Sequence, residues 1–405
     1  MSKKIIFALA LLIIFFTSVT LAISYDRKKR DDLYRQVELF SDVLAIVDAE
    51  YVDEIKPKDA IYGALKGMLT SLDAHSQFMD PETYNELKVD TEGKFGGIGI
   101  EISIKDGLLT IIAPIEDTPA WKAGLKSGDK IVKINNDLTR GIDLTKAMKK
   151  LRGKPGEEVN LTILRESEKK LLEFKITRAI IKINDIKQTK ILEDGIGYIR
   201  IIEFRETTPK DFDKAIEKLS KLGMKALILD LRNNPGGLME SALEVTGKFL
   251  PEDKLIVSTK GRKEDQNLVI MSQDKHPILN LPLAVLINEG SASGSEIVAG
   301  ALQDYKRAKI FGAKSFGKGS VQTVIPLSDG SALRLTTSKY FTPSGKVIHG
   351  KGVLPDVVIG KPENEEEKEI FEENGLTEKP EIGDKSWDYK LDPVVMSVIS
   401  SLKTK

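Results

Sequence analysis

The stretch that decides the fold spans residues 281–322 and has the sequence LPLAVLINEGSASGSEIVAGALQDYKRAKIFGAKSFGKGSVQ. It begins with an apolar run, Leu283–Ile287, whose length and composition are typical of a buried strand. A turn of small residues follows, and the apolar spacing after it predicts a helix from Ser295 to about Tyr305. A strand that passes through a short turn into a helix is typical of an α/β fold.

The remainder of this stretch predicts further strands and a glycine-rich connection. Lys309–Gly312 is short and apolar, Ser315–Gly319 contains two glycines, and Ser320–Leu327 alternates as a strand does. Other strand-like segments are Gly195–Ile202, Ala226–Leu231 and Ala332–Phe341. Because these strands alternate with helical patterns, the sequence indicates an α/β core.

Ser293 stands at the predicted strand-to-helix turn, where its hydroxyl meets the first N–H groups of the helix. Those N–H groups and the helix dipole favour a developing negative charge. A nucleophilic serine also needs a base, and a lysine can serve when an apolar environment lowers its pKa. We therefore predict Ser293 as nucleophile, Lys318 as general base and Gln322 as the residue that orients the lysine. In the alternative interpretation, Ser293 caps the helix in a capping box with Glu296, and Lys318 is a surface lysine.

Two segments, Gly290–Asp304 and Phe316–Gln322, resemble the carboxyl-terminal processing protease family. The similarity extends over most of the chain beyond residue 40. Members of this family use a Ser/Lys dyad with an assisting glutamine. The resemblance places the serine at Ser293, the lysine at Lys318 and the glutamine at Gln322.

The run Asp230–Leu238, DLRNNPGGL, follows a predicted buried strand and contains two glycines. Glycines at the end of a strand let backbone N–H groups approach a substrate carbonyl, although a plain turn has the same composition. The run is similar to the D-L-R-x-N-x-G-G motif of the family. This resemblance implies one oxyanion donor from Gly237 or Gly236, and we assign the second to Gly294. Asp304 matches an acidic position of the family, and a structural ion pair explains it equally well.

From Gly93 the pattern changes to strands, and the region up to about Arg178 resembles a PDZ domain. A glycine loop beside an open strand edge can bind a peptide carboxylate, and the peptide then adds to that edge as a strand. A groove-lining helix is predicted from Asp143 to about Leu151. It is followed by Arg152, which could sense a ligand or the protease core and could equally be solvated. The predicted peptide-binding residues are Phe95, Gly96, Gly97, Ile98, Gly99 and Arg152.

Composition restricts the chemistry. The chain has 405 residues, enough for two or three domains, and its 61 basic residues balance 61 acidic ones, which gives no reason to expect nucleic acid. It has no cysteine, so disulfides and thiol catalysis are excluded. Its histidines are His75, His276 and His349. We predict an exposed His276 and structural roles for the other two.

The N-terminal segment is apolar from Ile5 to Ile23 and is about long enough to span a bilayer as a helix. It predicts a signal peptide or an uncleaved signal anchor at residues 1–25. The family is usually extracytoplasmic. We therefore expect the remainder in the periplasm or at the outer face of the cytoplasmic membrane, with the membrane contacted through this segment.

The predicted architecture is α/β and multidomain. Its parts are the export segment, an N-terminal helical domain at 26–92, an inserted PDZ domain at 93–178, an α/β protease core at 179–360, and an acidic linker with a helix at 361–405. The resemblance implies a core of the crotonase-like type and a homodimer formed through the N- and C-terminal helices.

These observations predict an exported serine endopeptidase that cleaves proteins near their C-termini and recognises the free tail with its PDZ domain. The proposed chemistry requires no metal or cofactor. Two alternatives remain open. One is a PDZ scaffold with an inactive core, and the other is a Ser/His hydrolase that uses His75 or His349.

Overall fold

The computed structural model describes residues 31–105, 107–115, 117–166, 168, 170–278, 280–359 and 387–403. The predicted export segment at 1–25 and most of the predicted acidic linker lie outside these residues. Within the described ranges, no helix is long and apolar enough to cross a membrane. The chain divides into two compact units, residues 1–80 with 325–335, and residues 81–324 with 336–405.

The first unit contains helix α1 at residues 31–50, helix α2 (Pro57–Thr70) and strand β1 (Gln77–Met79). β1 pairs antiparallel with the first residues of strand β18 (Ala332–Phe341). The ring of Tyr62 packs edge-on against Phe78, with 4.8 Å between the centroids. α1 leaves large apolar side chains exposed, as expected for a helix with an uncovered apolar face; they include Leu33, Val37, Phe40, Val43 and Val47.

The second unit begins with helix α3 (Pro81–Glu92) and continues into the region predicted as a PDZ domain. Its strands are β2 (Lys94–Gly97), β3 (Ile100–Lys105), β4 (Leu108–Pro114), β5 (Lys130–Ile134), β6 (Asp137–Leu138), β7 (Glu158–Arg165), β8 (Lys170–Thr177) and β9 (Ala179–Lys182). β3, β4, β5, β7 and β8 form an antiparallel sheet in that order. The short helix α4 (Pro119–Lys122) and the predicted groove helix α5 (Leu144–Leu151) complete the region.

The predicted glycine loop needs one correction. Phe95, Gly96 and Gly97 lie in β2, which pairs antiparallel with β9 along its whole length. Pairing with β9 holds them in a strand rather than in an open loop. Local composition does not reveal this pairing, because the partner strand comes more than eighty residues later in the sequence. Ile98 and Gly99 form the connection to β3.

The α/β core is a six-stranded sheet in the order β10 (Ile186–Ile191), β11 (Ile196–Ile201), β12 (Ala226–Asp230), β15 (Leu283–Ile287), β16 (Lys309–Gly312) and β19 (Val357–Val358). All neighbours from β11 onward are parallel. Parallel strands are buried on both faces, which explains their continuous apolar sequences. The predicted strands at 283–287 and 309–312 are confirmed.

Helices cover both faces of this sheet. Residues of α6 (Thr208–Lys221), α7 (Met239–Gly247) and α8 (Gly294–Asp304) share one buried cluster, and α9 (Pro393–Lys403) packs into another. The buried Arg232 ties α9 to the end of β12, since its guanidinium bonds both Asp230 and, at 2.8 Å, Asp392. Short 3₁₀ turns occupy Glu193–Gly195, Glu264–Gln266 and Tyr389–Leu391.

A smaller antiparallel sheet completes the second unit. β13 (Leu255–Gly261) pairs with β14 (Val269–Met271) on one edge and with the end of β18 on the other. Strand β17 (Ser320–Pro326) also pairs with β18. This places the chain after the glycine-rich connection beside the α/β core.

Candidate active site

The candidate site forms where three neighbouring parallel strands end. β12 lies beside β15, and β15 lies beside β16, with Asp230 opposite Leu286 and Ile287 opposite Gly312. The loops that follow them, residues 231–238, 288–293 and 313–319, therefore meet at one edge of the sheet. Binding sites of parallel α/β sheets form at this carboxyl edge. The three loops carry Gly237, Ser293 and Lys318.

Ser293 is held in a strained backbone conformation. Its φ of 53° and ψ of −111° lie where non-glycine residues are rarely found. Such a conformation costs on the order of 1–3 kcal/mol and is typical of functional turns. Because α8 begins at the next residue, the half-buried serine lies at the positive end of an eleven-residue helix.

Glu296 connects the serine turn to the lysine loop. This fully buried carboxylate accepts a hydrogen bond from the backbone N–H of Ser293 at 2.8 Å and another from that of Lys318 at 2.8 Å, both on Oε2. Its Oε1 accepts from Ser315 Oγ at 2.5 Å and from the Gly317 N–H at 2.7 Å. A single carboxylate oxygen thus fixes the main chain at Ser293 relative to that at Lys318.

Burial disfavours the charged form of Glu296, and hydrogen bonds stabilise it. Burial raises the pKa of this carboxyl above its ordinary value, although the four hydrogen bonds lower it in part. A buried carboxylate needs such donors, because an unpaired charge in the protein interior is strongly unfavourable. The geometry of the site therefore depends on all four bonds together.

The neighbouring serines have structural roles. Ser291 donates from Oγ to the carbonyl of Leu231 at 2.8 Å, and Ser295 donates to the carbonyl of Asn234 at 2.9 Å. Both are fully buried. They attach the serine turn to the loop after β12, whereas Ser293 is half-buried and more accessible.

The two glycines after β12 lie against the serine. Gly236 has φ of 102° and Gly237 has φ of 126°, and a Cβ on Gly236 would lie 2.7 Å from the Cβ of Ser293. Phe204 holds this loop, because its N–H donates to Gly236 O at 2.7 Å and its carbonyl accepts from Leu238 N–H at 2.7 Å. The Gly236 N–H donates to Asn234 Oδ1, which leaves Gly237 as the candidate oxyanion donor.

Lys318 lies just before β17, and Gln322 lies within its first residues. Lys318 is half-buried, and its carbonyl accepts a hydrogen bond from the hydroxyl of Tyr340. The amide nitrogen of Gln322 donates to Ser320 Oγ at 2.9 Å and reaches Thr336 Oγ1 at 3.5 Å. The role of Gln322 in orienting Lys318 stays a prediction.

Asp304, His75 and His276 make their contacts outside the serine turn and the lysine loop, whereas the main chain of His349 lies against Gly319 of the lysine loop. Asp304 pairs with Lys346 at 3.1 Å and accepts from Ser344 N–H at 2.9 Å, which agrees with the structural ion pair. His276 is exposed, as predicted. His349 Nδ1 is buried and has no hydrogen-bond partner among the described residues. The backbone N–H of His75 donates to Asp73.

Part of the predicted peptide-binding set is brought together in the PDZ region. The guanidinium of Arg152 lies 4.6 Å from the centre of the Phe95 ring, a cation–π contact. The N–H of Gly153 donates to Gly96 O at 3.1 Å. The end of α5 is therefore joined to β2, close to the connection formed by Ile98 and Gly99.

Sequence reasoning missed two residues of the site. Glu296 entered only as the far end of a capping box, and Tyr340 did not enter at all. The S-x-x-E spacing was a usable signal for the bond between Glu296 and Ser293. The bonds from Glu296 to Gly317 and Lys318, and from Tyr340 to Lys318, bridge separations of about twenty residues and have no local signal.

The arrangement suits acyl transfer by a serine, and comparison with known proteins agrees. The sequence profile of peptidase family S41 matches residues 195–359, and that of the PDZ domain matches residues 96–176. The carboxy-terminal-processing protease of Bartonella bacilliformis is 43% identical over 372 residues, which cover 89% of this chain and 84% of that protein. The chain therefore belongs to the carboxy-terminal processing proteases of family S41, which are serine-type peptidases.

Two further proteins are similar to this chain. The carboxy-terminal processing protease CtpB of Bacillus subtilis is 37% identical, over 83% of this chain and 69% of that protein. A solved structure, the photosystem II D1 C-terminal processing protease, is 30% identical, with a TM-score of 0.45, over 79% of this chain and 92% of that chain.

Proposed function

We propose that this chain is an exported C-terminal processing endopeptidase that works through a dyad of Ser293 and Lys318. One observation carries the proposal. The buried Glu296 carboxylate bonds the backbone N–H groups of both residues through the same oxygen atom. The main-chain N–H groups of two residues that are 25 positions apart in the sequence thereby share one acceptor in the first turn of α8.

In the proposed mechanism, neutral Lys318 accepts the proton of Ser293 as Oγ attacks the scissile carbonyl carbon. The N–H groups of Gly237 and Gly294 stabilise the oxyanion of the tetrahedral intermediate. Lys318 then donates the proton to the leaving amine, and water hydrolyses the acyl-enzyme. Gln322 orients the lysine during both proton transfers.

The test compares three single variants of the full chain on an unfolded protein substrate. Ser293→Ala removes the nucleophile, and Lys318→Arg keeps the positive charge but provides no usable base, because arginine does not deprotonate in proteins. Both should lose about 10⁴-fold or more in kcat. Lys314→Arg, in the same loop, is the matched control and should keep its activity.

The outcomes separate the alternatives. Activity in Lys318→Arg but not in Ser293→Ala would favour a Ser/His hydrolase. Activity that survives Ser293→Ala would rule out the proposed dyad of Ser293 and Lys318. A wild-type chain that binds free C-termini and never cleaves would be a scaffold.

The finer proposal is recognition of the free C-terminus by the PDZ region. It is supported by the groove helix α5, whose Leu144 and Met148 side chains are 38% and 36% exposed, and by the contact between Arg152 and Phe95. Carboxylate capture by backbone N–H groups, with the peptide added as a strand, is the general mode for such grooves. Cleavage of matched substrates with free and amidated C-termini tests this proposal. Equal cleavage rates would rule out recognition of the free C-terminus but would leave the proposed protease activity intact.

Export and self-association complete the proposal. The apolar segment Ile5–Ile23 supports a location outside the cytoplasm. An alkaline phosphatase fused after Lys405 should be active if the chain is exported and inactive if it is not.

The exposed apolar side chains of α1 support a homodimer. Sedimentation of wild type and a Val37→Glu, Phe40→Glu double variant tests it, and equal masses would contradict the dimer.

A further inference from the structure

Arg205 is a buried arginine, 7% exposed, in the connection that follows β11. Its guanidinium donates to the main-chain carbonyl of Asp90 at 2.8 Å. It also donates to three carboxylates, those of Asp90, Asp185 and Glu203. These bonds fix the guanidinium in place, because each bond lost would leave a polar group unpaired in the interior of the protein.

The bonds of Arg205 reach both chain crossings between the PDZ region and the α/β core. Asp90 lies near the end of α3, which leads into β2, and Asp185 follows β9. Main-chain bonds hold the same junction. The N–H of Glu206 donates to Thr91 O at 3.2 Å, and the N–H of residue 202 donates to Asp185 O at 3.0 Å. Arg205 therefore joins both crossings to the connection that follows β11.

The main chain of Arg205 is also held by buried hydroxyl groups. Its N–H donates to Thr208 Oγ1 at 2.8 Å, and its carbonyl accepts from Ser241 Oγ at 2.7 Å. Thr208 Oγ1 donates in turn to Asp185 Oδ2 at 2.8 Å. One hydroxyl thus links the main chain of Arg205 to a carboxylate that the guanidinium also bonds. Thr208 begins α6, and Ser241 lies in the first turn of α7.

Phe204 connects Arg205 to the loop at residues 231–238, which we call the oxyanion loop. The N–H of Phe204 donates to Gly236 O at 2.7 Å, and its carbonyl accepts from Leu238 N–H at 2.7 Å. These two bonds lie on either side of Gly237, which pairs with Phe204 as an isolated parallel bridge. The direction of the main chain at Gly237 is therefore set by Phe204, the residue next to Arg205.

We propose that Arg205 is a positioning residue, which sets the orientation of the Gly237 N–H through the main chain of Phe204. The inference rests on the proposed oxyanion role of Gly237. Such a donor stabilises the transition state only if its direction is fixed before the reaction, because reorganisation raises the barrier. Glu296 joins the serine turn to the lysine loop, and Arg205 supplies the corresponding support for the oxyanion loop.

The first experiment compares Arg205→Lys with Arg165→Lys in the full chain. Lysine keeps the positive charge but lacks the planar fork that bonds both crossings at once. Arg165 is the matched control in the PDZ region, because it is 9% exposed and donates to both oxygens of the buried Asp129 at 2.7 Å. Both variants should have a lower Tm.

The two variants should differ in their kinetics, measured at a temperature well below both Tm values. Arg205→Lys should lower kcat by about fivefold to fiftyfold with KM within about twofold, because the oxyanion donor is misdirected while substrate binding is unchanged. Arg165→Lys should keep its kcat. A merely structural role predicts that both variants lose Tm and keep kcat within about twofold, and that result would overturn the inference.

Two further variants separate this inference from the proposed function. If Ser293→Ala remains active, the dyad is wrong and the inference is wrong with it. If Gly237→Ala keeps its kcat, the oxyanion assignment is wrong, and the inference again loses its basis. If both are impaired while Arg205→Lys keeps its kcat, only the role of Arg205 is wrong.

A second measurement does not depend on catalysis. Thr208→Val removes the hydroxyl that accepts from the Arg205 N–H, and Thr246→Val removes another fully buried hydroxyl, which bonds within α7. Hydrogen exchange followed by mass spectrometry reports the amides of Phe204 and Leu238, with those of β12 as the reference for general destabilisation. Thr208→Val should speed exchange at both amides relative to β12 by about tenfold, and Thr246→Val should not. Unchanged relative exchange in Thr208→Val would contradict the inference.

Discussion

The serine site and the PDZ groove both combine glycines with a helix, yet they are built in opposite ways. At the serine site, the buried Glu296, Ser291 and Ser295 bond to main-chain groups inside the protein. At the groove, the inner face of α5 packs into the buried cluster of the PDZ region through Ala147 and Leu151, while its outer face carries exposed ion pairs such as Lys146 with Asp143 at 3.3 Å. The serine site is organised before any ligand binds. The groove leaves apolar side chains exposed, where the proposed peptide would contact them.

This difference matches the role that is proposed for each region. Transition-state stabilisation needs donors that are already in place, because any reorganisation during the reaction raises the barrier. Peptide binding tolerates adjustment, since the incoming strand supplies main-chain hydrogen bonds of its own. Changes at the serine site should therefore reduce kcat, and changes at the groove should raise KM.

Among the substitutions that compare the two regions, the largest effect is expected for Gly237→Ala. A Cβ at this position would overlap the main chain of Phe204, and φ of 126° is unfavourable for alanine. We expect a loss of about 2–4 kcal/mol in the free energy of unfolding and at least about a hundredfold in kcat. Urea unfolding and steady-state cleavage measure the two quantities.

The matched control is Gly141→Ala in the PDZ region. Gly141 has φ of 74° and no atom within 4 Å of a built Cβ, so only the backbone preference is lost. Its destabilisation should stay near 1 kcal/mol, with kcat unchanged. Equal effects of the two substitutions would mean that the loop after β12 is no more constrained than a surface turn.

Glu296→Gln should have the next largest effect. The amide keeps the shape of the side chain but has one oxygen acceptor instead of two, and its NH₂ group faces N–H donors. We expect kcat to fall by about tenfold to a hundredfold, because the main chain at Ser293 and Lys318 separates. The rate of cleavage of a short peptide measures it.

Asp129→Asn provides the comparison in the PDZ region, where the equally buried Asp129 pairs with Arg165 at 2.7 Å. This variant should unfold more easily and keep its kcat on the same short peptide. If Glu296→Gln also kept its kcat, Glu296 would serve stability alone.

Met148→Glu should act on the groove only. It places a negative charge on the exposed face of α5, where it repels a carboxylate and removes apolar contact. We expect KM for a substrate with a free C-terminus to rise about tenfold while kcat stays constant. Lys146→Ala on the same helix removes an exposed side chain and should leave KM within about twofold. A fall in kcat for Met148→Glu would contradict the expectation that changes at the groove affect only KM.

The smallest effect is expected for Asp304→Asn at the end of α8. Burial raises the pKa of Asp304, but hydrogen bonds from Thr342 and Ser344 exceed that effect, so the pKa lies below its ordinary value. The charge therefore stabilises the fold above pH 4, and this contribution disappears as the pH falls through the pKa of the folded state. Asp304→Asn should cost about 1 kcal/mol at pH 7 and much less at pH 3. A constant difference in thermal stability across that range would contradict the assignment.

The elements could be predicted from the sequence because their signals are local. The strand at 283–287 has a continuous apolar run, the strand at 309–312 has two adjacent large apolar residues, and α8 follows a small-residue turn. Both interpretations of Ser293-Gly294-Ser295-Glu296 hold in part, since Glu296 does accept the Ser293 N–H. A capping interaction and a strained serine turn are therefore compatible.

The connections between these elements could not be predicted in the same way. The order β12, β15, β16 brings three loops together, but no local pattern specifies which strands are neighbours. The pairing of Gly96 with Ile180 and the bond from Tyr340 to Lys318 likewise join distant segments. Physical reasoning on a single sequence identifies the participants of the site more readily than the contacts that hold them.

The buried contact between Arg232 and Asp392 sets an order of events during synthesis. The two residues are 160 positions apart, so at about 5–20 residues per second Arg232 leaves the ribosome roughly 8–32 s before its second carboxylate. Until then α9 is absent, and the loop that begins at the end of β12 and carries Gly237 has a partly unsatisfied arginine at its base. The loop that carries Gly237 therefore gains the last of its buried ion-pair partners only after residue 392 has been made.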